Sequence, residues 1–248
     1  MQLVTGNIPD ATLGEIAAKD VRKAEVFKKY GFDFCCGGKK TLKEACLEKG
    51  LDLASIEQEL SEANENIATR PIPYRDWSAG FLADYIIHTH HSYVRKVLPE
   101  IEELAYKVVQ AHGQLHPELA QIQQLIHTIG AELNIHMLKE ENVLFPYIKQ
   151  MEAVANKLPV QETIHLESIQ LPINMMEMDH EVAGNGLESI RLLSNNFTPP
   201  ADSCASFRLF YKMLREFEED LHLHVHLENN ILFPKAIAIE RHGYSPAG

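Results

Sequence analysis

His136-Met-Leu-Lys-Glu140-Glu-Asn142-Val-Leu-Phe145-Pro146 recurs as His224-Val-His-Leu-Glu228-Asn-Asn230-Ile-Leu-Phe233-Pro234. The offset is a constant 88 residues, and His, Glu, Asn, Leu, Phe and Pro all coincide. On an α-helix, positions i and i+4 share a face about 6 Å apart, so each copy aims an imidazole and a carboxylate at one point. A single His-x-x-x-Glu reads most simply as an exposed side-chain pair. Two copies in a shared frame read differently. Packing would explain the repeated Leu, Phe and Pro, but not a buried His and Glu together. Burying such groups without a counter-charge costs several kcal/mol or shifts their protonation, and a bound cation removes that penalty.

Four long helical tracts surround the repeat. The first runs from about Ser78 to Ala111, with Ile87, Val94, Leu98 and Ile101 at helical spacing. Pro117 opens the second, which reaches about Asn156 with Pro146 inside it as a kink or stop. The third spans Leu171 to Leu193, closed by Asn195 to Pro200, and the fourth Ala201 to Glu240. No period-2 run rich in β-branched residues is present. Short connections between such tracts predict an all-α chain built on an antiparallel four-helix bundle, with the two repeat copies on parallel helices.

The other two helices should then contribute to the same point. His180 is the one histidine in the middle of the third tract, on a stripe with Met176 and Leu187. The first offers His88, His90 and His91. His91 shares the stripe of Ile87, Val94 and Leu98, while His90 lies on the stripe of Ile86 and Val97 and stays open as an alternative. His222 and His226 form a competing i, i+4 pair facing away from His224, but the repeat frame selects His224 because Glu228 aligns with Glu140. His222 and His226 are therefore expected at the surface or as outer supports, and His112, His116, His127, His165 and His242 in solvent. Four imidazoles and two glutamates suit two bridged ions, each with two nitrogens and both carboxylates spanning the gap. Zinc would favour thiolate or a closed tetrahedral set, and magnesium or calcium all-oxygen shells. The mixed set favours redox iron, with manganese second.

The whole chain has 248 residues, 45% of them hydrophobic, as in an ordinary globular protein. Its formal net charge of −12 argues against nucleic acid or an anionic membrane as partner, because no basic excess exists to neutralise phosphates. Met1 to Asp10 lack the pattern of a secretory signal, and no apolar run is long enough to span a bilayer. Four cysteines are too few for a disulfide scaffold and are expected as thiols in a reducing compartment.

Before the bundle the segments are short. Thr12 with Glu15 and Thr41 with Glu44 read as capping boxes, the first opening a helix through Val26 and Phe27 that Gly31 ends, the second one that Gly50 ends. A third short helix covers Leu53 to Ala63. The two prolines within Arg70 to Trp77 mark a linker. The expected division is 1–66 small helical domain, 67–77 linker and 78–242 bundle.

The repeated His-x-x-x-Glu with Leu-Phe-Pro, and lone histidines on the first and third helices, resembles the hemerythrin-like di-iron bundle. Tyr30-Gly-Phe-Asp-Phe-Cys35-Cys36-Gly-Gly38-Lys39 resembles the paired-cysteine domain that precedes such a bundle in the iron–sulfur cluster repair proteins. The resemblance implies a cytoplasmic, homodimeric protein with two non-haem iron ions per chain, acting on iron–sulfur proteins damaged by oxidative or nitrosative stress. It implies His91, His136, Glu140, His180, His224 and Glu228 as metal ligands. Asp179 is a departure, standing where relatives often carry Glu. Other functions compatible with such a centre are carriage or sensing of oxygen or nitric oxide, and nitric oxide reduction. Cys35 and Cys36 are too close in sequence to pair without strain. Flexible Gly37 and Gly38, the charges of Lys39 and Lys40 and the helix opening at Thr41 are expected to favour thiolate, giving a reactive or metal-accepting pair. Cys46 and Cys204 are expected to be inert packing.

Overall fold

The computed structural model describes residues 8–63, 72–160, 164 and 166–242. The junction between the small domain and its linker, residues 64–71, lies outside the described residues, as does His165.

Four short helices come first: α1 (Leu13–Lys19), α2 (Lys23–Lys29), α3 (Leu42–Lys49) and α4 (Leu53–Glu62). Both capping boxes form, Thr12 with Glu15 and Thr41 with Glu44, and the two caps meet side by side in an isolated bridge. The single helix expected through Phe27 is instead two. Asp20 breaks it by accepting hydrogen bonds from the backbone N–H and guanidinium of Arg22, at 3.1, 2.8 and 2.6 Å. An aspartate that bonds local backbone in this way competes with helix continuation. Phe27, Leu42, Ile56 and Leu60 close a small apolar core of their own.

The remainder is the expected bundle. Its first helix comprises α5 (Ala79–Ile86) and α6 (Ser92–His112), its second α7 (Glu118–Lys139) and α8 (Phe145–Ala155). The third is α9 (Gln170–Leu193), and the fourth α10 (Ala205–Leu227) with α11 (Phe233–Arg241). Successive helices reverse direction. Glu152, near the end of the second, accepts from the N–H groups of Ala79 and Gly80 at the start of the first, at 2.7 and 2.8 Å. Arg191 of the third pairs with buried Glu218 of the fourth.

Three of these helices contain a π turn: Ile87–His91, Glu140–Leu144 and Glu228–Leu232. In the repeat, proline explains it. Pro146 and Pro234 carry no N–H for the carbonyl four residues back. The chain widens instead, with Phe145 N–H bonding Glu140 O and Phe233 N–H bonding Glu228 O. Pro146 thus does not end the helix, which continues as α8. The first helix has its π turn with no proline directly after it, Pro99 lying further on within α6.

Two apolar layers fill the bundle, one around Leu98, Ile129, Leu187 and Phe217, the other around Ile86, Phe145, Met176 and Phe233. The polar residues of the repeat lie between them. Among the described residues no helix is long and apolar enough to cross a membrane.

Candidate metal centre

All six residues expected at the centre converge there. His91, Glu140, His224 and Glu228 place one donor atom each within 4.8 Å of one another, and so do His136, Glu140, His180 and Glu228. The two groups share both glutamates. Glu228 offers Oε1 to His224 Nε2 at 3.0 Å and Oε2 to His180 Nε2 at 3.1 Å. Glu140 Oε2 lies 3.3 Å from His136 Nε2 and 3.4 Å from His91 Nε2. Every one of the six is buried.

The hydrogen-bond pattern tests whether this donor set fits a cation. His91 Nδ1 meets Glu141 Oε1 at 2.6 Å, His180 Nδ1 meets Asn229 Oδ1 at 2.9 Å, and His136 Nδ1 meets Asp179 Oδ2 at 3.4 Å. Each partner is an oxygen that can only accept, so Nδ1 carries a proton and Nε2 is the atom left facing the centre. Those nitrogens face each other across the centre, His91 Nε2 with His224 Nε2 at 3.2 Å and His136 Nε2 with His180 Nε2 at 3.0 Å. Two imidazoles bound at about 2.1 Å to one ion, roughly at right angles, have their nitrogens about 3 Å apart. Both oxygens of Glu140 and Oε2 of Glu228 are buried without a hydrogen bond. Orphaned carboxylate oxygens, closely opposed ring nitrogens and the Nδ1–H groups of three histidines anchored from outside fit a pair of divalent cations.

Electrostatics agree. Burial opposes charge on His136, yet neighbouring Glu140 pushes it up to about 9. Burial and the charge of Glu228 work against ionisation of Glu140, but His136 and His91 hold it below the usual range. Glu228, likewise buried, is held well below by His224 and His180. Raised His136 and His91 thus set positive charge against two buried carboxylates, a role that divalent ions fill with more charge.

The repeated phenylalanines also acquire a reason. Phe145 lies nearly parallel to His91 at 5.8 Å, and Phe233 to His180 at 6.2 Å, fixing the ring planes of the two histidines that lie outside the repeat. The alternative at the first helix resolves in favour of His91. His90 points away, bonded to Asp220 at 2.9 Å and stacked on His224. His88 is exposed. Asp179 reaches His136 at 3.4 Å while Lys139 holds it at 3.1 Å.

Several peripheral expectations need correction. His226 is fully buried, packed 5.5 Å from Phe34 and bonded to Asn230, and His222 is half-buried beside the same ring. Burial pushes both down to about 4. They form the seam on which the N-terminal helices dock, a contact that periodicity within one helix does not reveal. His116 is held between Glu118 and Asp202 rather than free in solvent, and His112 packs on Phe207. His127 and His242 are exposed as expected.

Cys35 and Cys36 lie over the third helix with sulfurs 4.0 Å apart, Cys36 donating to His180 O at 3.5 Å. Thiolate is not favoured at Cys35. Its thiol is raised well above the usual range by Cys36, by burial and by Asp33, to which it donates at 3.1 Å. The expected positive charge is spent elsewhere, Lys39 on Glu177 and Lys40 on Glu48. Asp33 also accepts from the N–H groups of Cys35, Cys36 and Gly37, which fixes the loop. Gly38 is required by crowding rather than flexibility, since a Cβ there would stand 2.6 Å from Asn230 Oδ1. Cys46 is buried as expected, whereas Cys204 is exposed. The half-buried Cys36 faces a cavity of about 570 Å³ lined also by Lys49, Glu181, Glu188, Arg191 and His222.

Residues 82–236 match the hemerythrin HHE cation-binding domain. The chain belongs to this family. Within this HHE-domain chain, residues 9–64 match a second profile, described as a domain of unknown function (DUF542). A "Probable iron-sulfur cluster repair protein" of Haemophilus influenzae is 38% identical over 229 residues, covering 91% of this chain and 96% of the relative. The iron–sulfur cluster repair proteins YtfE of Enterobacter sp. and Escherichia coli are each 38% identical over 234 residues, covering 93% of this chain and 98% of theirs.

Proposed function

We propose that this chain holds two iron ions and serves the repair of iron–sulfur clusters damaged by oxidative or nitrosative stress. The observation that carries the reading is the pair of buried four-donor groups sharing Glu140 and Glu228, with carboxylate oxygens that no other group satisfies. His91 and His224 would hold one ion, His136 and His180 the other, and the two glutamates would span them. The nitrogen-rich, carboxylate-bridged set is the chemistry that favours iron over zinc or calcium. Bound there, iron would supply open coordination positions and a ferrous–ferric couple, for taking up nitric oxide or oxygen species or for giving iron to an apo-cluster.

The chain's own residues do the rest. Phe145 and Phe233 set the imidazole planes, and Glu141 and Asn229 fix their tautomers. The apolar layers on either side keep water from the carboxylates. Cys35 and Cys36, reached from the adjoining cavity, are read as the accepting pair through which metal or a nitrosating species leaves the centre. The same reading gives a cytoplasmic homodimer with damaged iron–sulfur proteins as clients. It is tested by metal analysis of the anaerobically purified chain and by reactivation of a nitric-oxide-damaged cluster enzyme. About two iron atoms per chain, most of them lost in His136→Ala with His224→Ala, and a parallel loss of reactivation, are expected. Unchanged iron in that double variant would refute it.

A further inference from the structure

The centre has approximate twofold symmetry. The repeat relates His136 to His224 and Glu140 to Glu228, and the lone histidines His91 and His180 occupy matching places on the first and third helices. In the first copy Glu141 accepts from His91 Nδ1, and in the second its repeat partner Asn229 accepts from His180 Nδ1. The equivalent position therefore does the same work with different chemistry. Glu141 is held from within the bundle, by Arg95 at 2.7 Å. Asn229 looks outward instead, its amide donating to Cys35 O at 3.4 Å. That donation also fixes the carboxamide, leaving Oδ1 toward His180.

Three more contacts join the cysteine loop to residues beside this half. Asn230, next in sequence, donates to Phe34 O at 3.1 Å and to Cys35 O at 3.4 Å. Its side chain fits between two glycines, where a Cβ on Gly14 would stand 2.0 Å from Oδ1 and one on Gly38 2.6 Å. Cys36 reaches the backbone carbonyl of His180 itself. Among the described residues the first-copy counterpart Asn142 makes no such link and bonds Leu138 O of its own helix.

We propose that Asn229 is a positioning residue that makes the His136–His180 half of the centre depend on the docked cysteine loop, so that this half gives up its cation when the loop lifts while the His91–His224 half keeps its own. The proposal rests on the two-cation reading of the site. With the loop docked, Cys35 O anchors the carboxamide and Oδ1 holds the His180 tautomer with its lone pair inward. With the loop lifted, the carboxamide is free to rotate and the ring loses its orienting acceptor. Removing such an outer partner typically weakens metal binding 10–100-fold. The exchangeable ion is then the one beneath the two thiols, and movement of the thiol loop sets its release.

The test loads the full chain anaerobically with two equivalents of Fe(II) and follows release to a chromophoric chelator. Asn229→Ala is expected to quicken release of one of the two ions about 10–100-fold and leave the other unchanged. Asn229→Asp cannot donate to Cys35 O but presents an acceptor to His180 in either rotamer, so it should restore slow release independent of the loop, which a residue needed only for folding would not do. Asn230→Ala should quicken the same phase as Asn229→Ala, whereas Glu141→Ala should quicken the other. In a His180→Ala background, Asn229→Ala should have no further effect. Equal acceleration of both ions, no change in either, or an Asp variant as impaired as the Ala variant would overturn the proposal. A chain that takes up no iron would instead defeat the two-cation reading beneath it, so the two failures are distinct.

Discussion

Replacing Glu140 by leucine should make the cation-free protein more stable while abolishing its metal centre. Glu140 is fully buried, neither of its oxygens accepts a hydrogen bond, and its nearest positive partners are His136 and His91 at 3.3 and 3.4 Å. Removing one member of a buried ionic cluster destabilises only when it strands a charge. Here the repulsion from Glu228 is lifted, and His136 and His91 can shed their protons at pH 8 once Glu140 is gone. The change then falls in the neutral-to-stabilising range, about 1–4 kcal/mol, found when buried ionic groups give way to apolar ones of similar volume. At about 2–4 °C per kcal/mol for a chain of this size, the expected rise in Tm is roughly 2–16 °C. The assay is thermal unfolding at pH 8 in the presence of a strong chelator, repeated after Fe(II) loading. Loaded wild type should melt above both cation-free proteins through ligand linkage, and Glu140→Leu should gain nothing from iron. A Glu140→Leu chain that melts well below wild type in chelator would refute the reasoning, since it would make the carboxylate a structural group sufficiently paired by its imidazoles.

Three further outcomes follow from the surroundings of the centre. His226 is neutral in the folded chain, its value pushed down to about 4 by burial, and ordinary once unfolded. The unfolded chain therefore binds more protons between about pH 6.5 and 4, and stability present above that window is lost as pH falls through it, by at most about 3 kcal/mol; His226→Gln should flatten this slope in urea titrations, and an unchanged slope would contradict the assignment. Phe233→Ala removes a fully buried ring stacked on His180 and should cost about 3–5 kcal/mol while loosening metal; differential scanning calorimetry with metal analysis checks both. Alkylation mapped by mass spectrometry at pH 8 should label exposed Cys204 and half-buried Cys36 well before Cys35 and Cys46, which are buried and raised; early labelling of Cys35 would contradict its burial.

The bundle and the six central residues were legible because two constraints act within single helices. Helical period places His136 with Glu140 and His224 with Glu228, and the repeat frame lifts the ambiguity that His222 and His226 create. What escaped the sequence lies between elements. The π turns follow from Pro146 and Pro234 in two helices, so the prolines were a usable signal, but nothing comparable marks Ile87–His91. The burial of His226 and the roles of Asn229 and Asn230 depend on the cysteine loop docking from nearly 200 residues away in sequence. The expected thiolate fails at Cys35 because Cys36, burial and Asp33 raise its thiol, surroundings that counting the charges of Lys39 and Lys40 along the chain misses.

The most direct measurement is an anomalous difference map at the iron edge from crystals of the Fe(II)-loaded chain. Two peaks are expected inside the bundle, one flanked by His91 and His224, the other by His136 and His180, with Glu140 and Glu228 touching both. A map with no peak there, or with iron only on outer, wetted side chains, would contradict it.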